Sequence, residues 1–182
     1  FEGSASAFVG NYLTADSDLF PNVNTLSTDG PKDVQFSFSG PTFLLPNLTF
    51  FAARRYFYDQ GYLYGKRVYN ITDTNPFMPT GDNEFVAMNP YEKKSFNGKL
   101  TYSLPSLKFS YSIYFDNNWN KYYDHGYRLV PDGIMNHYRD NLIHSFQSFF
   151  YPSNSTFVSL KLSSNLHKFY GYLYEDAYDP RY

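Results

Sequence analysis

KKSFNGKLTYSLPSLKFSYSIYFD, residues 93–116, alternates apolar and polar side chains on both sides of the dipeptide Pro105-Ser106. Successive side chains of a β-strand point to opposite faces, so this pattern predicts two strands, each with one apolar and one polar face. The first strand places on one face Lys94, Phe96, Gly98, Leu100 and Tyr102; the second places on one face Leu107, Phe109, Tyr111, Ile113 and Phe115. The intervening residues 104–106 predict a tight hairpin turn.

Similar alternating segments recur along the chain. We expect further strands over residues 4–14, 34–39, 48–58, 138–151 and 156–166. With the central pair, this makes about seven antiparallel, up-and-down strands in an all-β fold. Several of them are about 11 residues long, which matches a tilted membrane-spanning strand and exceeds the usual strand of soluble proteins.

The connections between these strands are sorted by length. Short turns are expected at residues 40–47, 104–106 and 152–155, and long polar loops at residues 15–33, 60–92 and 117–137. Outer-membrane barrels have this arrangement, with tight periplasmic turns and long extracellular loops. The connection pattern therefore favours a segment of transmembrane β-barrel over a soluble sandwich.

Composition supports a surface that alternates between lipid and water. The 182 residues include 20 Tyr and 19 Phe, yet only 42% of the chain is hydrophobic. Mean hydropathy is −0.50, and the chain lacks the run of roughly 18 apolar residues that a spanning helix needs. Transmembrane barrels combine a lipid-facing apolar band with aromatic girdles and a polar interior.

Charge and motifs exclude several function classes. The net charge of −2 gives no basic footprint for nucleic acid. Without cysteine, disulfide scaffolds and thiol chemistry are excluded. The start at Phe1 shows no secretion signal, so for an exported protein we expect processing or a missing N-terminus. No GxSxG, phosphate-binding or dinucleotide-binding motif is present, and the sequence does not indicate an enzyme or a cofactor.

Five segments carry a resemblance to a known family: SASAFVGNYL (4–13), FYDQGYLYGKR (57–67), FVAMNPYEK (85–93), SFNGKLTY (95–102) and YEDAYDPRY (174–182). Together they are similar to TonB-dependent outer-membrane receptors. The nearest branch is that of Bacteroidetes-like bacteria, which carries a carboxypeptidase-regulatory-like domain ahead of the plug.

The resemblance implies a barrel of about 22 strands, closed by a plug and embedded in outer-membrane lipid. Such receptors import a scarce nutrient, such as a siderophore or an oligosaccharide, with energy supplied through the TonB complex. The TonB box, the plug and the later strands have no counterpart here, so contact with TonB would be made through the missing plug region. We interpret residues 1–182 as one segment of the barrel domain, because an odd number of strands leaves an open edge.

Tyrosines cluster near the expected loop ends of the strands. Membrane-interface belts explain most of them, since each ring lies among the lipid headgroups with its hydroxyl in water. Ligand contact is the alternative, and its candidates are Tyr62, Tyr64, Tyr122, Tyr123 and Tyr127.

Other polar features have simpler interpretations. His125, His137, His144 and His167 lack the paired spacing of a metal site. Residues 73–84 are rich in oxygen ligands and could suit calcium, although their spacing is not that of an EF-hand. Arg54 and Arg55 fall mid-strand on opposite faces, so one should face the polar interior and the other should pair or lie near an interface. The glycosylation-like triplets at Asn47, Asn70 and Asn154 are expected by chance.

Two other functions stay open at this stage. One is a soluble, secreted all-β carbohydrate-binding module, whose strands would be shorter and would enclose a core. The other is a passive porin-like barrel, which would need an even number of strands and no energy from TonB.

Overall fold

The computed structural model of the protein describes residues 1–24, 26–43, 45–153 and 155–181. Three residues in predicted connections lie outside the described part. They are Thr25 in the loop 15–33, Leu44 in the turn 40–47, and Asn154 in the turn 152–155, which also begins one of the glycosylation-like triplets.

Seven long strands form a single antiparallel, up-and-down sheet, as predicted. Each strand pairs with its neighbour in the order β1-β2-β3-β6-β7-β8-β9. Their bounds are β1 Glu2–Val9, β2 Lys32–Pro41, β3 Leu48–Asp59, β6 Tyr91–Leu104, β7 Leu107–Asn120, β8 Asn136–Ser153 and β9 Thr156–Tyr172. A separate two-stranded ribbon, β4 Tyr64–Lys66 with β5 Phe85–Ala87, lies within the loop between β3 and β6.

The predicted hairpin at the centre of the sheet is confirmed. Leu104 pairs with Leu107 across the two-residue turn, and the register continues without a break to the pair Tyr91 and Asn120. All short connections leave the sheet at one end, and the long ones, residues 10–31, 60–90 and 121–135, leave at the other.

The first strand is shorter than the predicted 4–14, because the chain leaves the sheet at Gly10. The Gly10 amide donates to the Pro31 carbonyl at 2.7 Å. A Cβ on Gly30 would lie 2.3 Å from the Gly10 carbonyl oxygen, so only a glycine permits this close crossing of the two segments. The following residues belong to the first long loop, where the Thr14 amide bonds to the Val23 carbonyl.

Other strands are longer than predicted. β7 continues to Asn120, and β9 to Tyr172 rather than ending at residue 166. The sequence pattern predicts a loop at Asn117 and Asn118, because the alternation of apolar and polar residues stops there. In the structure they pair with both β6 and β8.

On the central strand β7, polar side chains are more buried than large apolar ones, whereas on the edge strands β1 and β9 the side chains of both faces are exposed. Ser110, Asp116 and Asn118 on one face of β7 are 7%, 4% and 7% exposed, whereas Phe115 on the opposite face is 38% exposed. The apolar face stays uncovered across the sheet, for example at Leu162, which is 59% exposed. This distribution is the reverse of a sheet that packs on a hydrophobic core.

A hydrogen-bond network holds the buried polar face together. The Asp116 carboxylate accepts from the amide groups of Asn118 and Asn141, both at 2.8 Å, and its oxygen lies 3.6 Å from the Lys93 ammonium. The Tyr91 hydroxyl donates to Asn118 at 3.1 Å. One carboxylate thus satisfies donors from three strands, which keeps its burial from being costly.

We expect Asp116→Ala to destabilise the fold, because the amides of Asn118 and Asn141 lose their acceptor. An unsatisfied buried polar group costs about 1–3 kcal/mol. The measurement is the free energy of unfolding of the folded protein from a denaturant titration. The matched control is Ser112→Ala on the same strand and face, for which we expect a change within about 0.5 kcal/mol. Equal effects of the two substitutions would contradict the role given to Asp116.

Candidate functional site

The three long loops pack together at one end of the sheet and form what we call the cap (residues 10–31, 60–90 and 121–135). Backbone hydrogen bonds join its segments. The amides of Lys66 and Val68 donate to the carbonyls of Arg128 and Leu129, at 2.8 and 3.0 Å. These bonds link the second and third loops directly, so the cap is a folded unit rather than a set of separate loops.

The cap contains the buried hydrophobic side chains of the described residues. These are Val23, Met88 and Ile134, and Pro131 is also fully enclosed. Among the described residues, the long strands carry no hydrophobic side chain that is buried to this degree. Since burial of apolar surface is the main favourable term in folding, the cap has a small hydrophobic core of its own.

Arg67 forms an ionic link between two loops of the cap. Its Nη1 donates to Asp82 at 2.6 Å, and its Nε and Nη2 donate to the Asp132 carboxylate. These bonds to Asp132, and then to Asp82, hold the pKa of the Arg67 guanidinium above its usual value. The planar fork of arginine suits this two-carboxylate arrangement.

A pocket of about 560 Å³ opens in the third loop, at its junction with β8. This volume is within the range of small-molecule sites. Three of the five predicted ligand-contact residues line it, namely Tyr122, Tyr123 and Tyr127. Tyr122 is 58% exposed, so its ring is open to solvent at the pocket wall.

Two histidines complete the pocket. The His125 Nδ1 shares a hydrogen bond of 2.8 Å with the Tyr123 hydroxyl. The His137 ring lies 4.8 Å from the Tyr122 ring and stacks on Phe169 at 5.7 Å. The His137 Nδ1 is buried, and none of the described residues forms a hydrogen bond with it. The spacing of His125 and His137 in the sequence gives no sign that they share a site. They come together only because the third loop folds back to the start of β8.

The other two predicted residues lie in a different part of the cap. The Tyr62 ring packs against Tyr12 at 5.4 Å and against Phe20 at 6.0 Å. Tyr64 belongs to β4 and lines only a narrow crevice, and burial raises the pKa of its hydroxyl. Both tyrosines therefore pack within the cap, and neither lines the pocket.

Tyr12 fixes the first loop to the sheet. Its hydroxyl donates to the Asp59 carboxylate at 2.6 Å, at the end of β3. Burial, and then the hydrogen bond to Asp59, raise the pKa of Tyr12 to about 12. The other Asp59 oxygen accepts from the Gly61 amide at 2.8 Å, so one carboxylate orders both the first and the second loop.

The oxygen-rich segment 73–84 uses its carboxylates for internal bonds. Asp73 accepts from the hydroxyl and amide of Thr80 and from the Asn70 amide, and these bonds lower the pKa of Asp73. Asp82 accepts from the Glu84 amide and from Arg67. Among the described residues, no three His, Asp or Glu side chains group closely enough to hold a metal ion.

Chemically, the pocket offers aromatic faces for stacking together with hydroxyl and imidazole groups for hydrogen bonding. Such a surface suits binding of a small molecule, since the rings contribute contact area and the hydroxyls fix the orientation of the ligand.

Comparison of the chain with protein families, curated proteins and solved structures gives no match. In the part of the chain that the structure describes, no helix has the length and apolar character needed to cross a membrane.

We expect Arg67→Met to loosen the cap, because two carboxylates lose their shared cation. The measurement is the rate at which proteinase K cleaves within residues 70–83. Since the ion pairs are partly solvent-exposed, we expect an increase of about 3- to 10-fold. The control is Lys66→Met, an adjacent exposed cation, which should leave the rate unchanged. An unchanged rate for Arg67→Met would show that the ion pairs do not order the loops.

Proposed function

We propose that this chain forms part of the wall and extracellular mouth of a TonB-dependent outer-membrane receptor, which imports a specific nutrient. The observation that carries the proposal is the reversed burial of the sheet. Asp116 and Asn118 are buried on one face, while Leu162 and its apolar neighbours are exposed on the other. A barrel in a membrane has this distribution, with apolar residues facing lipid and polar residues facing the interior.

The height of the apolar face supports a membrane position. On β7 apolar side chains recur from Leu107 to Phe115 on one face. Eight steps of about 3.3 Å give about 26 Å along the strand, which is about 20 Å of height at a tilt of about 40°. The whole of β7, with 14 residues, has a height of about 33 Å at that tilt, so the strand is long enough to cross the apolar band of about 25 Å with its ends in the interfaces.

An aromatic row at the loop end of the apolar face gives further support. Tyr58, Trp119, Tyr138 and Tyr170 fall on one line across the sheet, each on a different strand. Tyrosine and tryptophan concentrate at membrane interfaces, where the ring is in apolar surroundings and the polar atom is in water. In the proposed barrel, this row would serve as the aromatic girdle at the loop end.

The edges of the sheet support a larger barrel. Among the described residues, β1 and β9 each pair on one side only. Unpaired backbone groups in hydrocarbon cost several kcal/mol each. We infer that further strands of the receptor continue the sheet on both sides.

The mechanism assigned to this segment is capture and transfer of a ligand. The pocket beside Tyr122 and Tyr127 would hold the ligand at the mouth. The polar face below it, which carries Asp116 and Asn141, would form part of the lumen that a TonB-driven plug rearrangement opens. The segment itself breaks no bond.

A lipid-facing position predicts a strong penalty for Leu162→Arg. Arginine on the lipid face near the midplane costs about 2–4 kcal/mol, because its charge leaves water. The measurement is the folding free energy of the full-length receptor in lipid vesicles. The control is Ser163→Arg, the adjacent residue on the polar face, which should cost less than about 1 kcal/mol. A soluble carbohydrate-binding module would accept both substitutions and would remain in solution without detergent.

Uptake should depend on both the pocket and TonB. The measurement is uptake of labelled ferric chelates and oligosaccharides, tested as a panel, by cells that produce the full-length receptor. For the transported compound, combining Tyr122→Ala with Tyr127→Ala should lower uptake at low concentration about 10-fold or more, through lost ring contacts. The control is Tyr178→Ala, which removes an exposed ring outside the pocket.

Deletion of TonB should abolish uptake altogether. Uptake that persists without TonB would instead indicate a passive porin-like barrel.

A further inference from the structure

Arg54 lies on the apolar face of the sheet. Its cross-strand neighbours are Phe36 on β2 and Phe96 on β6. The adjacent Arg55, on the polar face, forms a two-pronged ion pair with Asp33 at 2.6–3.1 Å. For Arg54, the described residues provide neither a hydrogen bond nor an ion pair. The Arg54 side chain is exposed in the isolated sheet; where lipid covers the apolar face, its guanidinium needs an anion or water as a partner.

Arg54 lies at the boundary of the apolar face. Towards the short turns, its face of β3 continues with Ala52 and Phe50; towards the loops, it continues with Tyr56 and Tyr58. In a membrane this boundary lies close to the headgroups of the leaflet at the loop end. Arginine costs only about 0–1 kcal/mol near the interface, against about 2–4 kcal/mol at the midplane.

A cavity of about 370 Å³ lies at this position. Arg54 and Lys94 supply cationic groups at its rim, and Phe96 and Phe115 supply its apolar wall, with Asn117 beside them. Lys94 forms an ion pair with Glu92, which lies one position nearer the loops on the same face. The Asn117 amide donates to Asp140 at 2.6 Å, so that carboxylate is engaged as well.

We propose that this cavity binds a phosphorylated lipid of the surrounding leaflet. The phosphate accepts two hydrogen bonds from the Arg54 guanidinium and a third from Lys94, and an acyl chain lies along Phe96 and Phe115. Arginine recognises phosphate oxygens through its planar fork, and the phenyl rings exclude water from the chain. The inference rests on the proposed membrane location of the apolar face.

The choice of a lipid over a free anion follows from the wall of the cavity. A free phosphate would use only the cationic rim, and its hydration would oppose contact with Phe96 and Phe115. A lipid uses both parts, with the charge at the interface and the chain in the apolar band.

The test uses the full-length receptor in mixed vesicles of phosphatidylglycerol and phosphatidylcholine. The lipids that stay bound after extraction into detergent are counted by native mass spectrometry. We expect the unchanged receptor to retain phosphatidylglycerol about 10-fold in preference to phosphatidylcholine, and Arg54→Gln to lose this preference. Arg54→Leu, which suits an apolar surface, should fold at least as well and should lose it too.

Two controls sharpen the result. Lys99→Gln removes an exposed cation from the polar face of the strand that carries Lys94, and it should keep the preference. Inorganic phosphate added in excess should leave the bound lipid in place; displacement would identify a free-anion site and overturn the proposal.

The possible failures are distinguishable. If the receptor inserts into vesicles but Arg54→Leu retains phosphatidylglycerol like the unchanged protein, the lipid site is wrong and the transport function stands. If the receptor resists insertion altogether, and Leu162→Arg has no effect on its folding, both proposals are wrong.

Discussion

Each long strand has one face that the chain itself leaves uncovered, and this constraint determines the rest of the structure. The apolar side chains of the sheet cannot reach a common core, because in the described residues no second layer lies against them. At the centre of the sheet, on β7, the polar side chains of the other face are the ones that pack closely. Asp116 illustrates the result, since its carboxylate is almost completely buried and joins β6, β7 and β8.

The sheet and the cap are stabilised in different ways. The sheet depends on backbone pairing and on polar networks, and its apolar face needs an outside partner. The cap depends on a small hydrophobic core around Met88, on the Arg67 ion pairs and on the Tyr12–Asp59 hydrogen bond.

The periodicity of the sequence predicts the sheet because the alternation of side chains along each strand depends only on residues that are close in the chain. The hairpin at Pro105-Ser106 and the faces of β6 and β7 follow from residues that are neighbours in the chain. Periodicity failed at the strand ends, where the apolar pattern stops before the pairing does, as at Asn117–Asn120. It also missed the end of β1, which depends on a close approach between Gly10 and Gly30 that are distant in sequence.

The sequence indicates only some of the residues that line the pocket, for the same reason. Tyr122, Tyr123 and Tyr127 are close in the chain, and a cluster of tyrosines was visible there. His137 joins them through the turn of the third loop, and Phe169 joins through the pairing of β8 with β9. Tyr62 and Tyr64 gave an equally strong signal, yet they pack against Tyr12 and β5. Composition alone does not distinguish a ring that lines a pocket from a ring that packs within the cap.

The placement of short turns at one end of the sheet and long loops at the other affects how the sheet folds and how its sequence can change in evolution. Three hairpins, β2–β3, β6–β7 and β8–β9, close through short turns and can form from neighbouring residues. The long loops only join these finished units side by side. The entropy cost of a flexible loop rises by only about 0.6 kcal/mol for each doubling of its length. Insertions in the cap can therefore reshape the pocket over evolutionary time while the hairpins beneath it keep their register.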